Sequence, residues 1–321
     1  MNRFQRMLLL TSAVLLLVLC VESFLIPVPP LRNTVPPRQL ADKDSRFIIV
    51  NHLEVHYKSM GQGEPVLLLH GFGASTWSWR EVMLPLSRFG MVIAFDRPAF
   101  GLTERPLPSE WKGENPYTAE AQARLTVSLL DQLGIERAIL VGHSAGGSIA
   151  VLTALRFPER VQALVLISPA IYEGGGTPSW IHPFLRIPQV QRLGPLLVRL
   201  LVSRLEGALP SAWHDPNKIS TEVVAGYKKP LMAENWDRAF WEFMLASHPL
   251  ELDKQLDRIA QPTLVITGDD DRWVPSAQSM RLAAELPNAE LVVIPNCGHL
   301  VQEECPEAFI QAVTAFLDRL Y

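Results

Sequence analysis

The chain has 321 residues, 48% of them hydrophobic and 19% charged, with a formal net charge of −4. That length and apolar content support one globular domain carrying an insertion, and exclude a mainly disordered chain, a collagen-like fibre and a multi-span membrane protein. Lys and Arg total 29 against 33 Asp and Glu, so no basic excess exists to displace counterions, which argues against a general nucleic-acid binder.

At the amino end, Arg3 and Arg6 precede the uncharged apolar run Met7–Val21, which breaks at Glu22 and Ser23. A positive flank, an apolar run and a polar break form the pattern of a secretory signal. The run is short of the roughly 20 residues that cross a bilayer, but continuation through FLIPV to Val28 makes it long enough for an uncleaved anchor. Residues 1–28 therefore read as a signal peptide or membrane anchor. Arg3 and Arg6 favour an inside amino terminus, so the rest of the chain is expected on the non-cytoplasmic side, exported or membrane-anchored. Residues 29–46 read as a Pro-rich linker, since proline removes backbone donors and favours an extended spacer.

Residues 47–321 form the body. Phe47–Val50 and Leu53–Tyr57 flank Asn51-His52 and predict a hairpin. Val66–Leu69, Met91–Phe95, Ala138–Val141, Leu164–Ile167, Thr263–Thr267 and Leu291–Ile294 are continuous apolar runs rather than alternating ones. They predict strands covered on both faces, as in a parallel sheet. Helical patterns fall between them, at about 79–88, 118–133, 145–157 and 277–286, and a last one closes the chain at about 306–320. Strand and helix in alternation imply a doubly wound α/β domain. About 95 residues separate Ile167 from Thr263, and a loop that long needs structure of its own. Helix-like runs Val190–Leu205 and Glu234–Ala246, with Trp180, Trp213, Trp236 and Trp241, predict a helical cap inserted at about 171–255. Cys297 and Cys305, eight apart on either side of a loop, could sterically be bridged, but two cysteines make no disulfide framework and they read first as unpaired small core residues.

The strongest chemical signal is Gly142-His143-Ser144-Ala145-Gly146, which follows a buried strand and opens a helix. On such a turn the Ser144 side chain projects from the carboxyl edge of the sheet, at a helix amino terminus that favours developing negative charge. A serine hydroxyl needs a base. Of the histidines, His299 lies in the loop after the last strand, at the same edge. An orienting carboxylate is expected after strand 263–267, where Asp269, Asp270 and Asp271 compete; Asp271 is placed farthest from the strand end and is assigned the role. Two backbone donors should hold an oxyanion: Ala145 N–H beside the nucleophile, and Phe72 N–H in the His70–Gly73 loop after strand 66–69.

Five stretches, HGFG, FDRPAFGLTERP, GHSAGG, GDDDRWVP and NCGHLVQEECPEAF, carry a resemblance over residues 47–320 to the α/β-hydrolase fold family, in its branch with a helical cap. The order nucleophile, acid, base is that family's order. The resemblance implies an eight-stranded, mostly parallel sheet, a lid over the site, and structural rather than catalytic roles for Asp96 and Arg97. Serine at position 144 separates the chain from relatives with an aspartate nucleophile. The expected function is hydrolysis of a carboxylic ester or related acyl bond through an acyl-enzyme on Ser144, with no metal or organic cofactor. Trp77 and Trp273 near the site loops suggest a small-molecule substrate with an apolar or aromatic acyl group. The alternatives are a C–C bond hydrolase of ring-cleavage dienones and a non-catalytic protein that binds ligand in the capped pocket.

Overall fold

The computed structural model describes residues 27–172 and 179–320, together with Gln5, Thr11 and Phe24. The signal or anchor assigned to residues 1–28 thus falls almost wholly outside the described residues. Among the described residues no helix is long and apolar enough to cross a membrane.

Eight strands run β1 (Arg46–Val50), β2 (Leu53–Met60), β3 (Pro65–Leu69), β4 (Met91–Phe95), β5 (Ala138–His143), β6 (Val161–Ile167), β7 (Thr263–Gly268) and β8 (Ala289–Ile294). They form one sheet in the order β1-β2-β4-β3-β5-β6-β7-β8. The β1–β2 and β2–β4 pairs are antiparallel and every later pair is parallel. Successive side chains of a strand point to opposite faces, so a strand buried on both must be apolar throughout. In β3, Leu67 and Leu69 enter a layer with Leu129 and Ile149 of the helices on one face. Val66 and Leu68 enter the opposite layer with Phe309 and Phe316. Both layers are needed, and truncating a buried leucine such as Leu67 to alanine would cost about 2–5 kcal/mol.

The topology also decides where a site can form. β3 lies between β4 and β5, so the chain leaves β3 to one side and returns on the other. The loops that follow β3 and β5 therefore diverge, and a crevice opens at their carboxyl ends. The helices that cover the sheet include Ala119–Gln132, Ala145–Arg156, Ser276–Glu285 and Pro306–Leu317. The first is capped by Thr118, whose hydroxyl accepts from Ala121 N–H.

Two expectations need correction. The helix expected at 79–88 is a 3-10 turn, Thr76–Trp79, followed by a single α turn, Met83–Leu86. Pro85 lacks the N–H a longer helix would use, and Arg80 turns its guanidinium to Trp77 O and to the buried Glu303. Cys297 and Cys305 are not unpaired: they form a disulfide across a Cα separation of 6.3 Å. The short helix Val301–Glu304 folds the chain back on itself and brings the two thiols together.

Between β6 and β7 the described residues form the helices His182–Leu185, Pro188–Ala208, Thr221–Lys228 and Trp236–Ala246, with short 3-10 turns between them. Trp236, Phe240 and Trp241 pack on Ala99, Phe100 and Tyr117 of the body. Trp213 packs with Leu300, beside His299. The cap is thus seated by apolar contact on the loops that follow β4 and β8.

Candidate active site

Ser144 sits between β5 and its helix with φ 51° and ψ −121°, a left-handed backbone that a non-glycine residue adopts only when its surroundings impose it. Its N–H is tied to Ile167 O at 2.9 Å. The flanking glycines allow the turn: a Cβ on Gly146 would lie 2.1 Å from Leu69 O, and one on Gly142 would lie 2.6 Å from Gly147 Cα. The close approach of β3 backbone to the first turn of the helix is therefore the reason for glycine two residues after the serine.

His299 comes from the loop after β8. Its N–H donates to Ala212 O in the cap at 2.7 Å. Its Nδ1 meets Asp271 Oδ2 at 2.8 Å, with both side chains almost fully buried. Ionised Asp271 can only accept, so Nδ1 carries the proton and Nε2 is left as an acceptor. The other oxygen of Asp271 accepts from Trp273 N–H and Val274 N–H, each at 2.9 Å. Burial pushes the Asp271 carboxyl up, but the His299 hydrogen bond and charge and the Val274 N–H outweigh it and hold it below the ordinary value. The two neighbouring aspartates do other work. Asp270 binds Arg272 and His214, and Asp269 accepts from Cys297 N–H.

Ser144 and His299 border the same cavity, of about 200 Å³, lined mainly by Phe72, Leu209, Val224, Leu231, Phe240 and Trp273. A larger lobe, of about 710 Å³, also reaches Ser144 and is bordered by Phe72, Ala145 and Arg97. Among the described residues neither Phe72 N–H nor Ala145 N–H donates to another group of the fold. Both predicted oxyanion donors therefore stand beside the serine uncommitted. The predicted residues Phe72, Ser144, Ala145, Asp271 and His299 thus converge on one crevice. His143 and His70, buried beside it, are pushed down to about 3, mainly by burial, and are neutral. His143 Nε2 donates to His299 O at 3.0 Å and so helps fix the loop of the base.

Three features go beyond the sequence expectations: the unpaired guanidinium nitrogen of Arg97, the carboxylate of Glu304 and the disulfide. Asp96 is structural, as the family resemblance implies, accepting from Thr76 and Leu102 N–H and pairing with His56. Arg97 is likewise held within the fold. It is almost completely buried, its Nε bonds His70 O at 2.9 Å, and its Nη1 bonds Gln122 Oε1 at 2.8 Å. Its Nη2 has no partner, and among the described residues no carboxylate pairs with it. Burial alone pushes the guanidinium down to about 9. The second feature is Glu304, whose buried carboxylate accepts three backbone N–H groups: Gly298 at 2.7 Å, His214 at 3.0 Å and Asp215 at 2.8 Å. One side chain thus joins the loop of His299 to the cap. The third is the disulfide, which closes a ring around both Gly298 and His299. The motif NCGHLVQEECPEAF holds Glu304 and both cysteines, but nothing in it says that Glu303 and Glu304 are both buried or that Glu304 takes the backbone donors of the cap.

A family model of the alpha/beta hydrolase fold matches residues 64–306. The chain belongs to that family and is a hydrolase. It is 30% identical over 292 residues to the 2-hydroxy-6-oxononadienedioate/2-hydroxy-6-oxononatrienedioate hydrolase of Comamonas testosteroni, across 85% of this chain and 96% of that one. Among solved structures it resembles the meta-cleavage product hydrolase of Pseudomonas fluorescens, with TM-score 0.67 and 27% identity over 86% of this chain and 98% of that one. It also resembles a membrane phospholipase A, with TM-score 0.65 and 26% identity over 100% of this chain and 99% of that one.

Proposed function

We propose that the protein hydrolyses a bond next to a carbonyl group, with Ser144 as nucleophile, His299 as base and Asp271 as the acid that orients it. The observation that carries this reading is the buried Asp271–His299 pair at a cavity that also holds a strained serine. His299 Nε2 takes the Ser144 proton as Oγ attacks the carbonyl carbon. The oxyanion is received by Phe72 and Ala145 N–H, each such donor supplying about 2.7–4 kcal/mol of transition-state stabilisation. Collapse expels the leaving group, which takes its proton from His299. Water, deprotonated by His299, then frees Ser144.

For the bond itself, the relatives named above favour C–C cleavage of an oxo-dienoate over the ester expected from the sequence. Arg97 supports the same choice, because a buried guanidinium without a carboxylate partner at the larger lobe suits an anionic substrate group. Ester cleavage is the second reading. It is favoured by the apolar lining of the smaller lobe and by the phospholipase, whose likeness extends over the whole chain.

The full-length protein treated with a fluorophosphonate should be labelled, and a folded Ser144→Ala variant should not. Absence of label on folded wild-type protein refutes the serine mechanism. Turnover of a ring-fission oxo-dienoate, with p-nitrophenyl esters left intact, supports C–C cleavage; the reverse pattern supports the ester.

A further inference from the structure

We propose that the outward face of the cap rests on an anionic phospholipid bilayer, an interaction that goes beyond the proposed reaction and holds for either bond. The helix Pro188–Ala208 buries Gly194, Pro195 and Val198, with Gly194 against Trp241 of the helix Trp236–Ala246 and Val198 in the apolar cluster that joins that helix to Phe100 and Tyr117. The adjoining side carries Leu197, 51% exposed, Leu200, 54% exposed, and Leu201, 37% exposed. That spacing of i, i+3 and i+4 is one continuous helical stripe, solvent-exposed at Leu197 and Leu200 and turning inward at Leu201. The turns before it add Trp180, 70% exposed, Phe184, 58% exposed, and Ile187, 40% exposed. Scattered exposed apolar residues need no explanation, but a contiguous patch of this kind marks a binding surface.

Three observations select a bilayer as the occupant. The first is charge. Residues 180–204 contain Arg186, Arg192, Arg199 and Arg204 and no Asp or Glu, in a chain whose net charge is −4; Arg199 is paired with Asp237 of the neighbouring helix, and the exposed arginines of this face are Arg186, Arg192 and Arg204. Apolar residues flanked by arginines suit an interfacial helix on anionic headgroups. The second is the course of the chain. Arg199 Nη1 donates to Pro29 O at 2.8 Å, so the linker that follows the apolar sequence 7–21 meets the body on this helix. The third is access. Leu201 of this stripe, with Ile181 next to Trp180 in sequence, also lines the larger lobe that reaches Ser144. A bilayer under the patch would open directly onto the cavity.

The test uses the full chain with Cys20→Ser, because Cys297 and Cys305 are bridged. Leu200→Cys is labelled with the environment-sensitive fluorophore nitrobenzoxadiazole, and Glu159→Cys, exposed before β6 at the opposite edge of the sheet, serves as control. Both proteins are reconstituted in vesicles of phosphatidylethanolamine and phosphatidylglycerol. The probe at 200 should shift to the blue and be quenched by brominated lipid, while the probe at 159 should do neither. Replacing phosphatidylglycerol with phosphatidylcholine should weaken the quenching several-fold. A probe at 200 that behaves like the one at 159 overturns the proposal. So does a blue shift without lipid quenching, accompanied by cross-linking between two copies, which assigns the face to a second chain. Hydrolysis can persist in either case, so failure here is separable from failure of the catalytic reading.

Discussion

Replacement of Glu304 probes how the cap and the base are held together. Its carboxylate is buried, accepts from Gly298, His214 and Asp215 N–H at 2.7–3.0 Å, and has no cation beside it among the described residues. A hydrogen bond to a charged acceptor contributes about 1.5–3 kcal/mol, and each buried donor left unpaired costs about 1–3 kcal/mol. Three such bonds do not add in full, because the shortened side chain leaves room for water. Glu304→Ala should therefore destabilise the protein by about 4 kcal/mol. Glu304→Gln keeps one acceptor oxygen but turns an amide group toward at least one donor, and should cost about half as much. Gly298 adjoins His299, and His214 follows the cap residue Ala212 that accepts from His299 N–H. Loss should thus appear in turnover as well as in stability. The assays are urea unfolding followed by tryptophan fluorescence, and kcat on whichever substrate class is turned over, measured well below the unfolding midpoint. If Glu304→Ala unfolds within about 1 kcal/mol of wild type and retains its kcat, the reasoning that one carboxylate joins cap to base is refuted.

Asp271→Asn should lower kcat by orders of magnitude, whereas Asp270→Asn, whose partners are Arg272 and His214, should change it less than tenfold; similar losses in both would reject the assignment. His143 is held at about 3 in the folded state against about 6.5 when unfolded, so between those values the unfolded chain binds a proton that the folded protein excludes. Its contribution is complete above about pH 6.5 and is lost as pH falls toward 3, at up to about 1.4 kcal/mol per pH unit. A folded His143→Gln variant should show an unfolding free energy that declines less steeply with acid over that window, and an unchanged slope would contradict the buried, neutral assignment. Arg97→Met should raise KM for an oxo-dienoate at least tenfold while altering a neutral ester much less, and equal losses on both substrates would confine Arg97 to holding the His70 loop.

The positions of the strands were legible from sequence to within a few residues, because a run buried on both faces, such as Leu67-Leu68-Leu69, needs apolar side chains at every position. The elbow was legible for a related reason. A serine on a strand-to-helix turn that β3 backbone approaches tolerates only glycine two residues later, and that local steric demand is written directly into GHSAGG. Other features depended on groups brought together from far along the chain. Among the described residues Arg97 gains Gln122 as a neighbour but no carboxylate, and Glu304 gains His214 from a cap inserted 90 residues earlier. The choice of Asp271 among three adjacent aspartates becomes definite only when Trp273 and Val274 N–H fix which carboxylate turns inward. The disulfide and the outward leucine stripe belong to the same class. Periodicity announces that a helix has an apolar side, but which side meets protein and which meets solvent is decided when the insertion docks. The sequence alone therefore determined the sheet and the reactive turns, which rest on local sterics and burial period. Only the tertiary structure decided the charges, the bridge and the exposed face, since burial and pairing are properties of the whole assembly of contacts and not of any single segment.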